Sequence, residues 1–273
     1  MTQITKEAEV ATLLITNEEY YTTNNKAADY ILSFQSDEEI VQQNFNLKKE
    51  HTNRVIANAE MLAQHLNCDE SFVLIAKLIA LLHDIGRFEQ FRDYQTFNDY
   101  ISKDHSEIGL NAIEEHRIIN QLQPDVQSVI KKAILFHNKI AVPKDESKEV
   151  IFFSNIIRDA DKLDILEMAV NEYSSKNSSR NSSFSLNLNN SIEISKQIEK
   201  SILEGKLPDR KEMKTVTDFK LVQMAFVYDL NFKESFSIVG KRQYLKHIFD
   251  TMPKNDRVFE MYRRVKIHVE NHL

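Results

Sequence analysis

The sequence predicts an all-α protein, and three observations support this fold class. Its 273 residues include only 4 glycines and 4 prolines, too few for the many turns of a β-sandwich or a β-barrel. Apolar residues recur at intervals of three and four in several segments, as they do on one face of an α-helix. The hydrophobic share of 42% is enough to bury a core, and the charged share of 28% keeps the surface polar.

The first half of the chain is predicted to be helical nearly throughout. Residues 5–45 form two or three short helices with a break at Asn24 and Asn25. A helical stripe follows in 47–66. It consists of His51, Val55, Ala59, Leu62 and Leu66. The segment 70–83 is almost all apolar and therefore predicts a central helix.

An irregular connection rich in aromatic residues is expected at 84–104. Asp104 and Glu107 predict a capping box at the start of the next helix, and Pro124 predicts the start of the one after it. A further helix is predicted from about 149 to 173.

The chain is expected to divide into three parts. Residues 1–173 would form a helical core, and 192–273 would form a smaller C-terminal helical lobe packed against it. Between them, 174–191 is rich in Ser and Asn and predicts a loop or linker.

Charge and composition exclude several classes of partner. The net charge is −6 and no Lys/Arg block stands out, so no nucleic acid polymer is expected to bind. Cys68 is the single cysteine, which excludes an internal disulfide framework and fits a reducing cytoplasm. No apolar run approaches the ~20 residues of a membrane span, and the N-terminus lacks a signal-peptide pattern. A soluble cytoplasmic protein without a membrane partner is therefore expected.

Six residues of metal-binding types recur in order along the chain. They are His51, His83, Asp84, His105, His137 and Asp161. His51 lies 32 residues before His83, Asp84 lies 21 before His105, His105 lies 32 before His137, and His137 lies 24 before Asp161. Each interval is about one helical hairpin long, so these side chains can converge from different helices. Four imidazoles and two carboxylates suit Mn, Fe, Co, Ni, Zn or Mg.

Helical spacing predicts that four of these residues, His51, His83, His137 and Asp161, face the core. His83 continues the apolar stripe of Ile75 and Ile79, and His137 and Asp161 continue similar stripes on their own helices. Taken alone, a His or Asp at such a position is more often a hydrogen-bonded core residue than a ligand. Several inward-facing residues together favour a metal centre, because unpaired buried charge is costly.

Five local sequences resemble those of one known family. They are HTNRV (51–55), HDIGRFEQF (83–91), DHSEIG (104–109), LFHN (135–138) and DADKLD (159–164). In this order they resemble the HD superfamily of metal-dependent phosphohydrolases. The resemblance implies an all-α fold with the metal site in the middle of a helical bundle.

The resemblance also implies a role for each candidate ligand. One divalent ion would be held by His51, His83, Asp84 and Asp161. His105 and His137 match the extra pair of the two-metal members, in which the HD aspartate bridges, so one or two ions are expected and two are favoured. Such ions activate water as hydroxide and stabilise charge on a phosphoryl oxygen. Asp84 is therefore also a candidate catalytic residue.

Three cations are candidates for binding a phosphate group. Arg87 stands where many HD enzymes carry Lys, and it would anchor substrate and stabilise charge in the transition state. A helix-terminal salt bridge is an equal alternative for Arg87. Arg54 and Lys162 would face either phosphate or solvent.

The favoured function is hydrolysis of a small phosphorylated molecule, preferably a nucleotide. The GYP signature of the cyclic-dinucleotide phosphodiesterases is missing, so cyclic dinucleotides are not favoured. A di-iron oxygenase and a non-catalytic, metal-containing ligand-binding module remain the alternatives. The oligomeric state stays open.

Overall fold

A computed structural model describes residues 13–174 and 188–273 of the chain. These residues form twelve α-helices and two short 3₁₀ turns, with no strand among them beyond one isolated bridge between Asn189 and Thr215. The α-helices are α1 (Asn17–Leu32), α2 (Glu39–His65), α3 (Glu70–Leu82), α4 (Gly86–Tyr94), α5 (His105–Glu115), α6 (Pro124–Phe136), α7 (Lys148–Ser174), α8 (Lys196–Leu203), α9 (Val216–Ala225), α10 (Lys233–Lys241), α11 (Tyr244–Asp250) and α12 (Asp256–Glu270). The predicted all-α fold is confirmed.

The core forms around α3, which packs against α1, α2, α6 and α7. Every residue of α3 from Leu74 to Leu82 except Lys77 is buried, as expected of a helix that is apolar on nearly all sides. The predicted stripe of α2 also faces inward: Val55, Ala59 and Leu62 are fully buried. The two long helices α2 and α7 pack against each other across this core.

Two of the sequence predictions are wrong in their helix boundaries. Asn24 and Asn25 lie within the continuous helix α1, and the chain leaves the helix only after Leu32. The connection 84–104 is not irregular throughout, because 86–94 forms α4. Phe88 and Phe91 of α4 are buried against the core, so tertiary packing stabilises this short helix.

The predicted helix starts at Asp104 and Pro124 are confirmed. The carboxylate of Asp104 accepts a hydrogen bond from the Ser106 amide at the start of α5, but the reciprocal half of a capping box with Glu107 is not formed. Pro124 is the first residue of α6, where its missing N–H costs no hydrogen bond.

The C-terminal helices α8–α12 pack against one another, and α9, α10 and α11 also contact α7. Most of the expected linker, 175–187, lies outside the described residues, so the proposed division at 174–191 stays a prediction. Residues 188–191 are described and are not helical. No helix of the described chain is long and apolar enough to span a membrane.

A buried carboxylate on α7 joins the C-terminal helices to the core. Asp159 is fully buried and accepts hydrogen bonds from the Asn231 and Phe232 amides, from the Asn231 side chain and from the Ser235 hydroxyl. Burial raises the pKa of Asp159, although these donors act in the opposite direction. A second contact lies beside it: Asp229 pairs with both Arg158 and Lys162 of α7 at 2.6 Å.

Replacing Asp159 by Ala should lower the free energy of unfolding by about 2–4 kcal/mol, since several donors lose their shared acceptor in a buried position. Urea denaturation would measure the change. Asp145→Ala is the control, because Asp145 is exposed in a loop, and it should change stability by less than about 0.5 kcal/mol. Equal stability of the two variants would contradict a stabilising role for Asp159 between α7 and the C-terminal helices.

Two glycines allow α4 and α5 to approach closely. A Cβ atom added to Gly86 would overlap the carbonyl oxygen of His105 and the amide nitrogen of Gly109. A Cβ on Gly109 would lie 3.2 Å from the Gly86 nitrogen, which is a tighter contact than most Cβ atoms make. This approach brings the turn after α3, with Asp84, against the first residue of α5, His105.

Gly86→Ala should therefore force α4 and α5 apart and lower the free energy of unfolding by about 3 kcal/mol. Gly240→Ala is a matched control, because Gly240 also lies in a helix but an added Cβ there would only make ordinary van der Waals contact, at 3.7 Å, with the side chain of Leu273. That control should be neutral or stabilising by up to ~1 kcal/mol. Thermal and urea denaturation of both variants would test the prediction, which fails if Gly86→Ala is as stable as the control.

Candidate metal centre

The six predicted ligands come from five helices and one turn, and the fold brings them together. His51 lies in the middle of α2 and Asp161 in the middle of α7. His83 and His137 follow the last residues of α3 and α6, and His105 begins α5. Asp84 lies in the turn between α3 and α4. All are buried except Asp161, whose side chain is 16% exposed.

One carboxylate oxygen of Asp84 faces the first pair of histidines. Its Oδ2 lies 3.5 Å from His51 Nε2 and 3.8 Å from His83 Nε2. Asp161 Oδ1 lies 3.2 and 3.9 Å from the same two nitrogens. His51, His83 and Asp161 thus offer ligand atoms close enough together to hold one ion.

The other oxygen of Asp84 faces the second pair. Its Oδ1 lies 3.2 Å from His105 Nε2 and 4.0 Å from His137 Nε2. The two imidazole nitrogens are 2.9 Å apart. Asp84, His105 and His137 form a second group that could hold an ion, and Asp84 lies between the two groups.

Backbone carbonyls fix the tautomers of two of the histidines. His83 Nδ1 donates to the Ala80 carbonyl at 2.7 Å, and His137 Nδ1 donates to the Ile134 carbonyl at 2.6 Å. Each ring follows the last turn of a helix, where carbonyl oxygens lack an intrahelical partner. Because a carbonyl can only accept, the proton lies on Nδ1 and the neutral ring presents the Nε2 lone pair to the centre.

Carboxylates orient the rings of the other two histidines, His51 and His105. His51 Nδ1 lies 2.6 Å from Asp164 Oδ2, one turn after Asp161 on α7. His105 Nδ1 lies 2.9 Å from Asp99 Oδ2. All four Nε2 atoms therefore point inward, as in metal sites where outer carboxylates and carbonyls orient histidine ligands.

This arrangement leaves buried imidazole lone pairs that a bound cation would stabilise. His83 Nε2 is buried without a hydrogen-bond partner among the described residues, and the inward lone pairs of His105 and His137 face each other. Two ligand atoms about 2.1 Å from one ion are about 3.0 Å apart at a right angle and about 4.2 Å apart on opposite sides. The distances of 3.2–4.0 Å from the Asp84 oxygens to the four imidazole nitrogens lie in this range, and the 2.9 Å between His105 and His137 is close to its lower end. The donor set therefore fits divalent ions.

The charge states of His83, His137, Asp84 and Asp161 also suit metal binding. Burial lowers the pKa of His83 and lowers that of His137 further, with the neighbouring imidazoles adding to the effect, so both are neutral at neutral pH. Burial alone would raise the pKa of Asp84, but Lys48, His83 and Arg87 outweigh it and hold the pKa well below its usual range. Asp161 is likewise held ionised, by His51 above all. For His51, the hydrogen bonds with Asp161 and Asp164 outweigh burial and raise the pKa.

Arg87 forms several hydrogen bonds with other protein groups. Its guanidinium is almost buried; Nη1 donates to Gln90, to the Phe97 carbonyl and to Asp99 at 2.7–2.8 Å, while Nε lies 3.3 Å from Asp84 Oδ1. These contacts support an orienting role, in which Arg87 fixes Asp84 and the connection after α4. Its predicted contact with substrate stays a prediction.

Arg54 and Lys162 are also paired with carboxylates. Arg54 Nε donates to Asp164 Oδ1 at 2.6 Å, and 39% of its side chain is exposed. Lys162 is buried and binds Asp229 of the C-terminal helices. The Lys162 ammonium thus points toward the C-terminal helices. It faces a carboxylate there, whereas the sequence predicted that it would face phosphate or solvent.

Sequence patterns missed two residues of the centre. Lys48 Nζ lies 2.8 Å from Asp84 Oδ2, and its position three residues before His51 on the same helix was the available signal. Asp99 orients His105, but it lies in a connection without periodicity, so no spacing rule pointed to it. A third group of possible ligands, Asp99, Asp104 and His105, is less suitable, because Asp99 and Asp104 already pair with Arg87 and Lys139.

Residues 49–166 match the family model described as HD domain. The chain contains an HD domain. No curated protein and no solved structure gave a match. The predicted resemblance to the HD domain is confirmed over these residues, and proteins of the HD domain family are largely hydrolases. All six candidate ligands lie within the matched residues.

The outer carboxylate Asp164 should control metal affinity in this HD domain. Asp164→Ala frees the His51 ring, so affinity for Mn²⁺ should fall about 10- to 100-fold. Glu167→Ala is the matched control, since Glu167 lies one turn later on α7 and pairs with Arg242 at the surface. Calorimetric titration of the metal-free proteins would measure both affinities, and an unchanged affinity in Asp164→Ala would show that this carboxylate does not orient the ligand.

Proposed function

We propose that this protein is a metal-dependent phosphohydrolase that acts on a small phosphate ester at a two-metal centre. The observation that carries the proposal is the position of Asp84, whose two oxygens face two different pairs of imidazoles. His51, His83 and Asp161 would hold one ion and His105 and His137 a second, and Asp84 would contribute one oxygen to each group.

The chain's own residues hold this centre in place. Asp164 and Asp99 orient His51 and His105, and Arg87 restrains Asp84 through its contact with Oδ1. Divalent ions at this centre would lower the pKa of bound water and stabilise charge on a phosphoryl oxygen. In the net reaction the oxygen of water forms a new P–O bond and the ester P–O bond breaks. One proton of the water goes to the leaving oxygen, which becomes the alcohol, and the other stays on the phosphate product or enters solvent.

A nucleotide is the favoured type of substrate. The connection after α4 carries Phe97 and Tyr100 on either side of Asp99, which contacts His105 directly. Tyr100 is 54% exposed, and an exposed aromatic ring on the residue after Asp99 suits stacking on a nucleobase. The expected partner is therefore a small phosphorylated molecule.

The first experiment is elemental analysis of the purified protein together with phosphate-release assays on nucleotides in Mn²⁺ and Fe²⁺. We expect about two ions per chain, falling to about one in His105→Ala. Asp84→Ala should lose roughly a thousandfold in kcat/KM, because bridging supplies several kcal/mol of charge stabilisation. Asp145→Ala is the control and should retain wild-type activity.

Other outcomes would replace the proposal. One ion per chain would indicate a mononuclear enzyme, with His105 and His137 facing substrate. Iron with oxygen consumption and no phosphate release would indicate an oxygenase. An absence of metal even after reconstitution would indicate a binding module, and full activity of folded Asp84→Ala would refute a role for this carboxylate.

A further inference from the structure

Lys48 places a positive charge beside the central carboxylate. It lies on α2 one turn before His51, and its ammonium donates to Asp84 Oδ2 at 2.8 Å. The side chain is 17% exposed, so the ammonium lies between the buried centre and solvent. The ring of Phe97, from the connection after α4, lies 5.0 Å from the same nitrogen.

This ion pair competes with metal binding. Asp84 Oδ2 also faces His51 and His83, so an ion held there would need the same oxygen. A divalent ion repels an ammonium group twice as strongly as a second monovalent cation would at the same distance, and the effect is large where water is excluded. Metal binding therefore weakens the contact of Lys48 with Asp84 and favours movement of the ammonium toward a new anion.

The other cations near the centre are held mainly by carboxylates other than Asp84. Arg54 binds Asp164, Arg87 binds Asp99, and Lys162 binds Asp229. None of these carboxylates belongs to the two ligand groups around Asp84 that could each hold an ion. Arg87 also contacts Asp84, but only through Nε at 3.3 Å from Oδ1, and its other hydrogen bonds hold it in place. Lys48 differs because its ammonium lies 2.8 Å from Asp84 Oδ2 and has this carboxylate, the candidate bridging ligand, as its ion-pair partner among the described residues.

We propose that Lys48 binds the phosphate group of the substrate and exchanges its ion pair with Asp84 for this contact when metal binds. This inference rests on the proposed phosphohydrolase function and adds a substrate-binding residue to it. The flexible four-carbon stem of lysine suits such an exchange, and its partial exposure leaves the ammonium accessible to an incoming anion.

The charge of Lys48 also favours a particular class of ester. Asp84 and Asp161 carry two negative charges, two divalent ions would carry four positive charges, and Lys48 adds one more. A phosphate monoester dianion together with a water that has lost its proton would balance this excess of three. A diester carries one negative charge fewer, so the lysine favours the terminal phosphate of a monoester.

The test compares Lys48→Met with Lys49→Met. Lys49 is the next residue on α2 but lines a surface groove with Gln35 and Ser36, so it is a matched control. In metal-free protein, Lys48→Met should bind Mn²⁺ as tightly as wild type or several-fold more tightly, because no ammonium competes for Asp84. A weaker affinity in folded Lys48→Met would mean that the lysine supports the ligand set, and would overturn the exchange.

The second measurement is binding of inorganic phosphate to the Mn²⁺-loaded proteins by calorimetry. Lys48→Met should weaken phosphate binding roughly 10- to 100-fold, Lys48→Arg should restore most of it, and Lys49→Met should leave it unchanged. Dimethyl phosphate, a monoanion, should lose less affinity than inorganic phosphate in Lys48→Met. Equal phosphate affinity in Lys48→Met and wild type would overturn the proposal.

These results separate the two levels of inference. If wild type releases phosphate from esters but Lys48→Met binds phosphate normally, the hydrolase function stands and the role of Lys48 fails. If wild type binds phosphate through Lys48 but hydrolyses no ester, the anion site stands and the hydrolase function fails. If the loaded wild type binds no phosphate, both fail.

Discussion

Each of the four buried histidines has its Nδ1 nitrogen bound to a fixed acceptor outside the centre. Two acceptors are carbonyls at helix ends and two are the carboxylates of Asp99 and Asp164. This constraint determines where every Nε2 lone pair points, and hence what the centre can bind. Because the acceptors belong to α3, α6, α7 and the connection after α4, the geometry of the centre depends on how these parts of the fold are packed.

The polar interactions around the centre form two layers. The inner layer brings two carboxylates among four imidazoles, and the outer layer pairs each orienting carboxylate with an arginine: Asp99 with Arg87, and Asp164 with Arg54. A buried carboxylate is stable only when its charge is compensated. The arginines supply that compensation to the outer carboxylates. Two cations also reach Asp84 in the inner layer: Arg87 contacts its Oδ1 at 3.3 Å, and the flexible Lys48 contacts its Oδ2 at 2.8 Å.

The sequence contained the helices and the order of the ligands, but not the contacts of the long side chains. Periodicity located α2, α3, α6 and α7 because each buries a continuous apolar face. It missed the partners of Arg87 and Lys162, since these lie 12 and 67 residues away in regions without periodicity. It also missed α4, a short helix that depends on packing rather than on its own propensity.

The double use of α7 has a consequence for the order in which the protein is made. One face of this helix carries Asp161 and Asp164 toward the centre, and another carries Arg158, Asp159 and Lys162 toward the C-terminal helices. Asp161, the last candidate ligand, is synthesised about 70 residues before Asn231, the first partner of Asp159. A nascent chain therefore contains all six candidate ligands while buried charges on the same helix still lack their partners, so we expect the centre to become stable only after the C-terminal helices are synthesised.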